Sequence, residues 1–147
     1  ISCVDAKSKS LYQEFAEACR MAVEEDLRAA KTEHFREHAD SDGKVLCEIT
    51  GERVAIYESH LDHKKPMTFQ VIVRTFVKAK KITVRPEMLS VPRDAQFSTV
   101  FVDDELRREF REYHRSVADL RIVAAKENLC LGGAERITKS RNPVRIP

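Results

Sequence analysis

The heptapeptide HLDHKKP, residues 60–66, decides how the rest of the chain is read. An aspartate flanked by histidines is a poor choice for a strand that only fills a core, because polar groups in an apolar interior cost free energy unless they are partnered. The same residues suit hydrolytic chemistry. Carboxylate and amide oxygens are ligands for hard divalent cations, and a neutral imidazole accepts a proton near neutral pH. Adjacent strand residues point to opposite faces, so Asp62 and His63 can serve one centre only where the strand breaks. Pro66 favours a break just beyond them. His60 and Asp62, two apart, share a face.

Working outward, KVLCEI and VAIYES flank a TGER turn and read as a β-hairpin, Val45–Ile49 against Val54–Glu58, with HLDHKKP closing it. Upstream, SLYQ from Ser10 to Gln13 has the form of a capping box. Leu11, Phe15, Ala18, Cys19, Ala22, Val23, Leu27 and Ala30 follow at helical spacing, so one amphipathic helix is expected from Leu11 to His38, stopped by the turn residues DSDG at 40–43. Downstream, Thr68 is a cap for a second helix from Phe69 to about Lys81. Residues 82–102, with Pro86 and Pro92, read mostly as loop with short strands. Asp103 caps a third helix that buries Leu106, Phe110, Tyr113 and Val117. LRIV is a short extended piece, and AAKENLCL is a short helix ended by Gly132 and Gly133. The tail, AERITKSRNPVRIP, reads as basic and loosely held.

A length of 147 residues fits one domain with its own core. The formal net charge is only +2, and acidic and basic residues are mixed, so composition alone does not mark a nucleic-acid binder. There is no apolar run long enough to span a membrane and no signal peptide. The four cysteines, Cys3, Cys19, Cys47 and Cys130, form no C-x-x-C pair. That pattern argues against a secreted disulfide framework and against a complete zinc knuckle, and reads as reduced thiols in a cytoplasmic protein. The first residue is Ile1, which reads as part of a longer chain.

HLDHKKP together with ADLRIVAAKENLCLGG, residues 118–133, resembles the two halves of the HNH, or ββα-metal, endonuclease motif. In that family a hairpin ends in Asp-His or His-His, and the second half reads Asn-Leu-Arg-Leu-Leu-Cys-x-x-Cys-Asn-x-x-Lys-Gly. Aligned on Leu120 and Arg121, Asp119 takes the place of the middle Asn, Asn128 that of the final Asn, and Gly132 that of the closing Gly. The resemblance implies an α+β fold with a ββα-metal core at 44–63 and 119–133. A long N-terminal helix would precede it within 1–40, an inserted helical segment would fill 68–118, and a basic tail would span 134–147. It implies that Asp62 and Asn128 bind one divalent cation, magnesium or manganese, that His63 is the general base, and that the partner is nucleic acid, DNA in the first place. Asp119 would brace the loop. The EACRMAVEEDL helix, the C-x-x-T-G-E turn, the H-x-D-H and the Y-H-x-x-x-A-x-L-R run are also similar to the C-terminal HNH-like part of bacterial proteins that carry a DCL-type domain.

The departures from the family pattern matter as well. The two C-x-x-C pairs that clip many members through zinc fall on Cys47, Thr50, Ala124 and Glu127, so no structural zinc is expected. The motif lysine is Leu131. Outside the motif, His60 reads as an extra ligand, a phosphate contact or a hydrogen-bonding strand-end residue. His114 reads as a supporting site residue or as a histidine bonded within the fold. Arg121 can clamp a phosphate through its bidentate fork or make a salt bridge inside the fold. His34 and His38 end the first helix, where cations favour the dipole, and carry no assigned chemistry. The rival to the nuclease is a degenerate HNH fold that binds nucleic acid or protein without cutting.

Overall fold

The computed structural model describes residues 9–92, 98–126 and 142–147. It is a mixed α+β structure with small antiparallel sheets. Its elements are α1 (Leu11–His38), β1 (Lys44–Leu46), β2 (Arg53–Ala55), β3 (Ser59–His63), α2 (Phe69–Ala79), β4 (Leu89–Ser90), β5 (Val100–Phe101), α3 (Asp104–Val117) and β6 (Leu120–Ala124). The chain divides into two compact units, Ile1–Glu24 with Ile72–Ser116, and Glu25–Val71 with Val117–Pro147.

The helices start where their caps put them. Ser10 Oγ accepts from Gln13 N at 3.1 Å while Gln13 Oε1 accepts from Ser10 N at 2.8 Å, a complete capping box at the head of α1. Thr68 Oγ1 accepts from Val71 N at 3.3 Å, and Asp103 Oδ1 accepts from Glu105 N at 2.9 Å. α2 stops at Ala79, before the expected Lys81. Lys81 has φ 53°, and the N–H groups of Lys81 and Ile82 donate to the carbonyls of Lys78 and Val77. This is a Schellman ending built on a lysine instead of a glycine.

In the first unit, Phe15, Cys19, Val23, Ile72, Phe76, Phe101 and Phe110 are buried. Phe15 meets Phe101 edge-on at 5.2 Å, and Phe76 meets Phe110 at 5.1 Å. Such pairs each contribute about 0.5–1.5 kcal/mol beyond area burial. β4 and β5 pair here as the short strands expected within 82–102.

The second unit is organised by β6, which is buried at every position. A strand in that setting must satisfy its backbone on both edges. On one edge β3 pairs with it antiparallel, Asp62 opposite Arg121 and His63 opposite Leu120. On the other edge Val144 N donates to Leu120 O at 2.9 Å, Glu48 N donates to Ile122 O at 3.0 Å, and Ala124 N donates to Cys47 Sγ at 3.3 Å. Ala30, Phe35, Val45, Val54 and Val144 complete the core around it.

Three expectations are corrected here. The β1–β2 hairpin exists, with Val45 opposite Val54, but it is only three residues long on each side. Gly51, at φ 77°, and the Gly51 N to Cys47 O bond of 2.8 Å turn the chain early, and the Glu58 carboxylate takes Ala55 N to start a 3-10 turn at Ile56–Glu58. HLDH therefore does not close that hairpin; it lies on a separate strand paired with LRIVA. Finally, residues 142–147 are not loosely held. Val144 is 4% exposed and bridges Leu120, Ile146 packs on the same core, and Asn142 N donates to Glu48 Oε1 at 2.7 Å.

Replacing Val144 by alanine should cost roughly 1–3 kcal/mol in urea unfolding, as expected for deleting buried methyl groups; a loosely held tail would give no change. A surface pair makes a second prediction. Arg53 donates to Asp40 and Asp42, holding the Asp40 carboxyl down to about 2, first through the Arg53 hydrogen bond and then through Lys44 N. Because the folded value lies below the unfolded one, the contribution is present above the ordinary carboxylate range and is lost as pH falls toward about 2. In an NMR titration Arg53→Met should return Asp40 toward its ordinary value.

Candidate functional site

β3 and β6 bring most of the candidate residues onto one two-stranded ladder. Asp62 Oδ2 accepts from Arg121 Nε at 2.9 Å, and this pair joins residues 59 apart in sequence. Arg121 is 1% exposed and the Asp62 side chain 21%. Of the two readings of Arg121, the structure shows the salt bridge within the fold. A guanidinium so deeply buried is not presented to a phosphate, which corrects the clamp expectation. The carboxylate is there because a buried cation needs a partner.

His63 is half-buried, and its ring meets Phe69 edge-on at 5.4 Å with planes at 67°. Phe69 is the first residue of α2, so the Thr68 cap that fixes the helix start also fixes the aromatic wall beside the imidazole. The strand does not break at the Asp-His pair. It stays regular through His63, and Lys64 N still donates to Asp119 O at 2.8 Å, so the turn comes only afterwards. Asp62 and His63 consequently leave the strand on opposite faces. The sequence-based expectation of a break beneath them is overturned because β6, running from Leu120, offers β3 a pairing partner over its whole length.

His60 is exposed and on the Asp62 side of the ladder, opposite Val123. Asp119 is exposed, and the brace it makes to the turn comes from its backbone carbonyl. That contact is independent of the side chain. His114 is fully buried on α3 in the first unit, with its ring 6.1 Å from Phe110. It is not part of the ladder. Asn128, Gly132 and Cys130 lie outside the described residues.

One group was read only as a reduced thiol at a position of the lost zinc clip. Cys47 is 1% exposed. Burial pushes its thiol up, but hydrogen bonds from the Thr50 side chain and from the backbone of Thr50, Ala124 and Ile49 outweigh that and leave it below its usual range. Three of the four positions aligned with the zinc clip, Cys47, Thr50 and Ala124, thus meet around a single sulfur; Glu127 lies outside the described residues. Among the described residues no group of three His, Cys, Asp or Glu side chains is arranged to hold a metal ion, and no helix is long and apolar enough to cross a membrane. No protein-family model, curated protein or solved structure matches the chain.

The Asp62–Arg121 pair sets how the site must be probed. Asp62→Ala takes the carboxylate from a buried guanidinium and should cost about 3 kcal/mol of stability, the range for breaking a buried ion pair. Asp62→Asn keeps an oxygen acceptor and should lose clearly less. Equal losses in denaturant unfolding would show that the pair does not hold β3 to β6.

Proposed function

We propose that the chain is a metal-dependent endonuclease that hydrolyses DNA phosphodiester bonds, with β3 and β6 as the two strands of a ββα-metal core. One observation carries the reading. HLDH and LRIV, taken from the sequence as the two halves of one motif, are hydrogen-bonded neighbours in register. Ala125 and Lys126, directly after β6, are helical, as the third part of such a core requires. The meeting of Cys47, Thr50 and Ala124 supports the same alignment of the second half.

In this reading the end of β3 opens on binding the substrate, bringing His63 round to the Asp62 side, where it takes a proton from the attacking water. Asp62 keeps Oδ2 on Arg121, which leaves its second oxygen as a hard ligand, and Asn128 is the other ligand implied by the motif. A magnesium or manganese ion held there would stabilise negative charge on the phosphate oxygens. His60, exposed on the Asp62 side, and Lys64 and Lys65, just past the strand, would meet the phosphate backbone, the main source of affinity for DNA.

A second reading, a binding module of the same fold that does not cut, is favoured by two observations. Asp62 already neutralises a buried guanidinium, and the regular strand sends Asp62 and His63 to opposite faces.

Plasmid nicking in magnesium or manganese separates the two. Wild type should nick, and His63→Ala should lose about 10²–10⁴-fold in rate while binding a labelled duplex with unchanged anisotropy. Equal rates for the two proteins remove His63 from the mechanism. Binding without cleavage by wild type establishes the module.

A further inference from the structure

The last turn of α1 reads EHFREH, residues 33–38. His34 and His38, four apart, lie on one helix face. Their ring centroids are 4.6 Å apart, with planes tilted by 43°. They line a cavity of about 590 Å³ together with Glu33, Glu37, Asn142 and Arg145. His34 is 7% exposed and forms part of the wall, whereas the His38 side chain is 39% exposed and faces solvent. Burial and then the neighbouring His38 hold the His34 imidazole below its usual range, with Glu48 opposing them. The carbonyl end of α1 carries the negative end of the helix dipole, and Glu37 Oε2 lies 3.9 Å from His38 Nε2. Of the nearby arginines, Arg36 is paired with Glu33, and Arg145 is the opposing charge on the cavity wall.

We propose that His34 and His38 form a two-imidazole chelate for a nitrogen-preferring divalent cation, zinc, nickel or copper, with water at the remaining positions. Metal–nitrogen distances of about 2.0–2.1 Å require donor nitrogens roughly 3–3.5 Å apart. Rings with centroids 4.6 Å apart reach that separation by rotating about their own side-chain bonds. Because no third His, Cys, Asp or Glu among the described residues joins them, the site is an exchangeable one and is not a zinc required for folding. Imidazole ligands select zinc, nickel and copper over magnesium and manganese, which prefer oxygen. The site is thereby separate in place and in metal preference from the cation proposed at Asp62. An ion bridging positions four apart clamps the final turn of α1, the turn that leads into β1 and the core around β6.

The test is calorimetric titration of the chelator-treated full chain with zinc chloride. Wild type and Asp62→Asn should each bind one equivalent at micromolar zinc, unaffected by excess magnesium, and zinc should raise the unfolding temperature. His38→Gln changes a half-exposed side chain and keeps the fold, as circular dichroism checks; it should abolish both the binding and the thermal shift. His34→Gln should do the same. Zinc binding by His38→Gln equal to that of wild type, or no binding by wild type at micromolar zinc, overturns the proposal.

Discussion

β6 is buried at all of its positions, and a buried backbone has no water to turn to. Each of its N–H and C=O groups must find a partner inside the protein or cost free energy comparable to a lost hydrogen bond. Most of the second unit follows from that constraint. One edge is covered by β3. The other is covered piecemeal, by Glu48 from the hairpin turn, by Val144 from the far end of the chain, and by a cysteine sulfur. The thiol is an unusual acceptor, but Ala124 N–H lies beyond the reach of the short β1 strand, and Cys47 is the residue that leaves it.

The same burial places Arg121 in the interior and so dictates Asp62. A carboxylate in that position answers two demands. It neutralises the guanidinium and, in the nuclease reading, offers its second oxygen to a cation. These demands compete, because each positive charge lowers the affinity of the carboxylate for the other. In that reading the site would bind its cation less tightly than an unpaired aspartate would, and would lean on Asn128 and on the phosphate itself for the remaining ligands. The His63 ring packs on Phe69 and stands at the end of the ladder, next to the turn carrying Lys64 and Lys65.

Local signals were read well and long-range ones poorly. Ser10, Gln13, Thr68 and Asp103 announced their helices because a cap is a hydrogen bond between residues two or three apart. The end of α2 was misplaced because Lys81 adopts a backbone conformation that glycine usually marks. The partner of HLDH was assigned to the nearest β-rich run, since nothing in SHLDH itself points across 59 residues to Arg121. The motif resemblance linked the two segments but not the strand pairing. In the tail the signal was present: Val144 and Ile146 stand two apart on either side of Arg145, the period of a strand with one face on a core, and the surrounding basic residues obscured it. The convergence on Cys47 Sγ had no sequence signature beyond the C-x-x-T spacing, because a backbone N–H donates from any residue type.

The central claim is the register of β3 on β6. Leu120, Ile122 and Ala124 direct their backbone groups to the far edge, so Leu61 and Ile122 face each other as a non-hydrogen-bonded pair. In such a pair the Cα atoms are about 4.5 Å apart, the closest approach in an antiparallel ladder. The most direct measurement is a nuclear Overhauser spectrum of the isotope-labelled chain. The account predicts a strong Hα–Hα cross-peak between Leu61 and Ile122. Its absence, or a strong Hα–Hα cross-peak from Leu61 to Arg121 or Val123, would contradict the register and with it the pairing of the two motif halves.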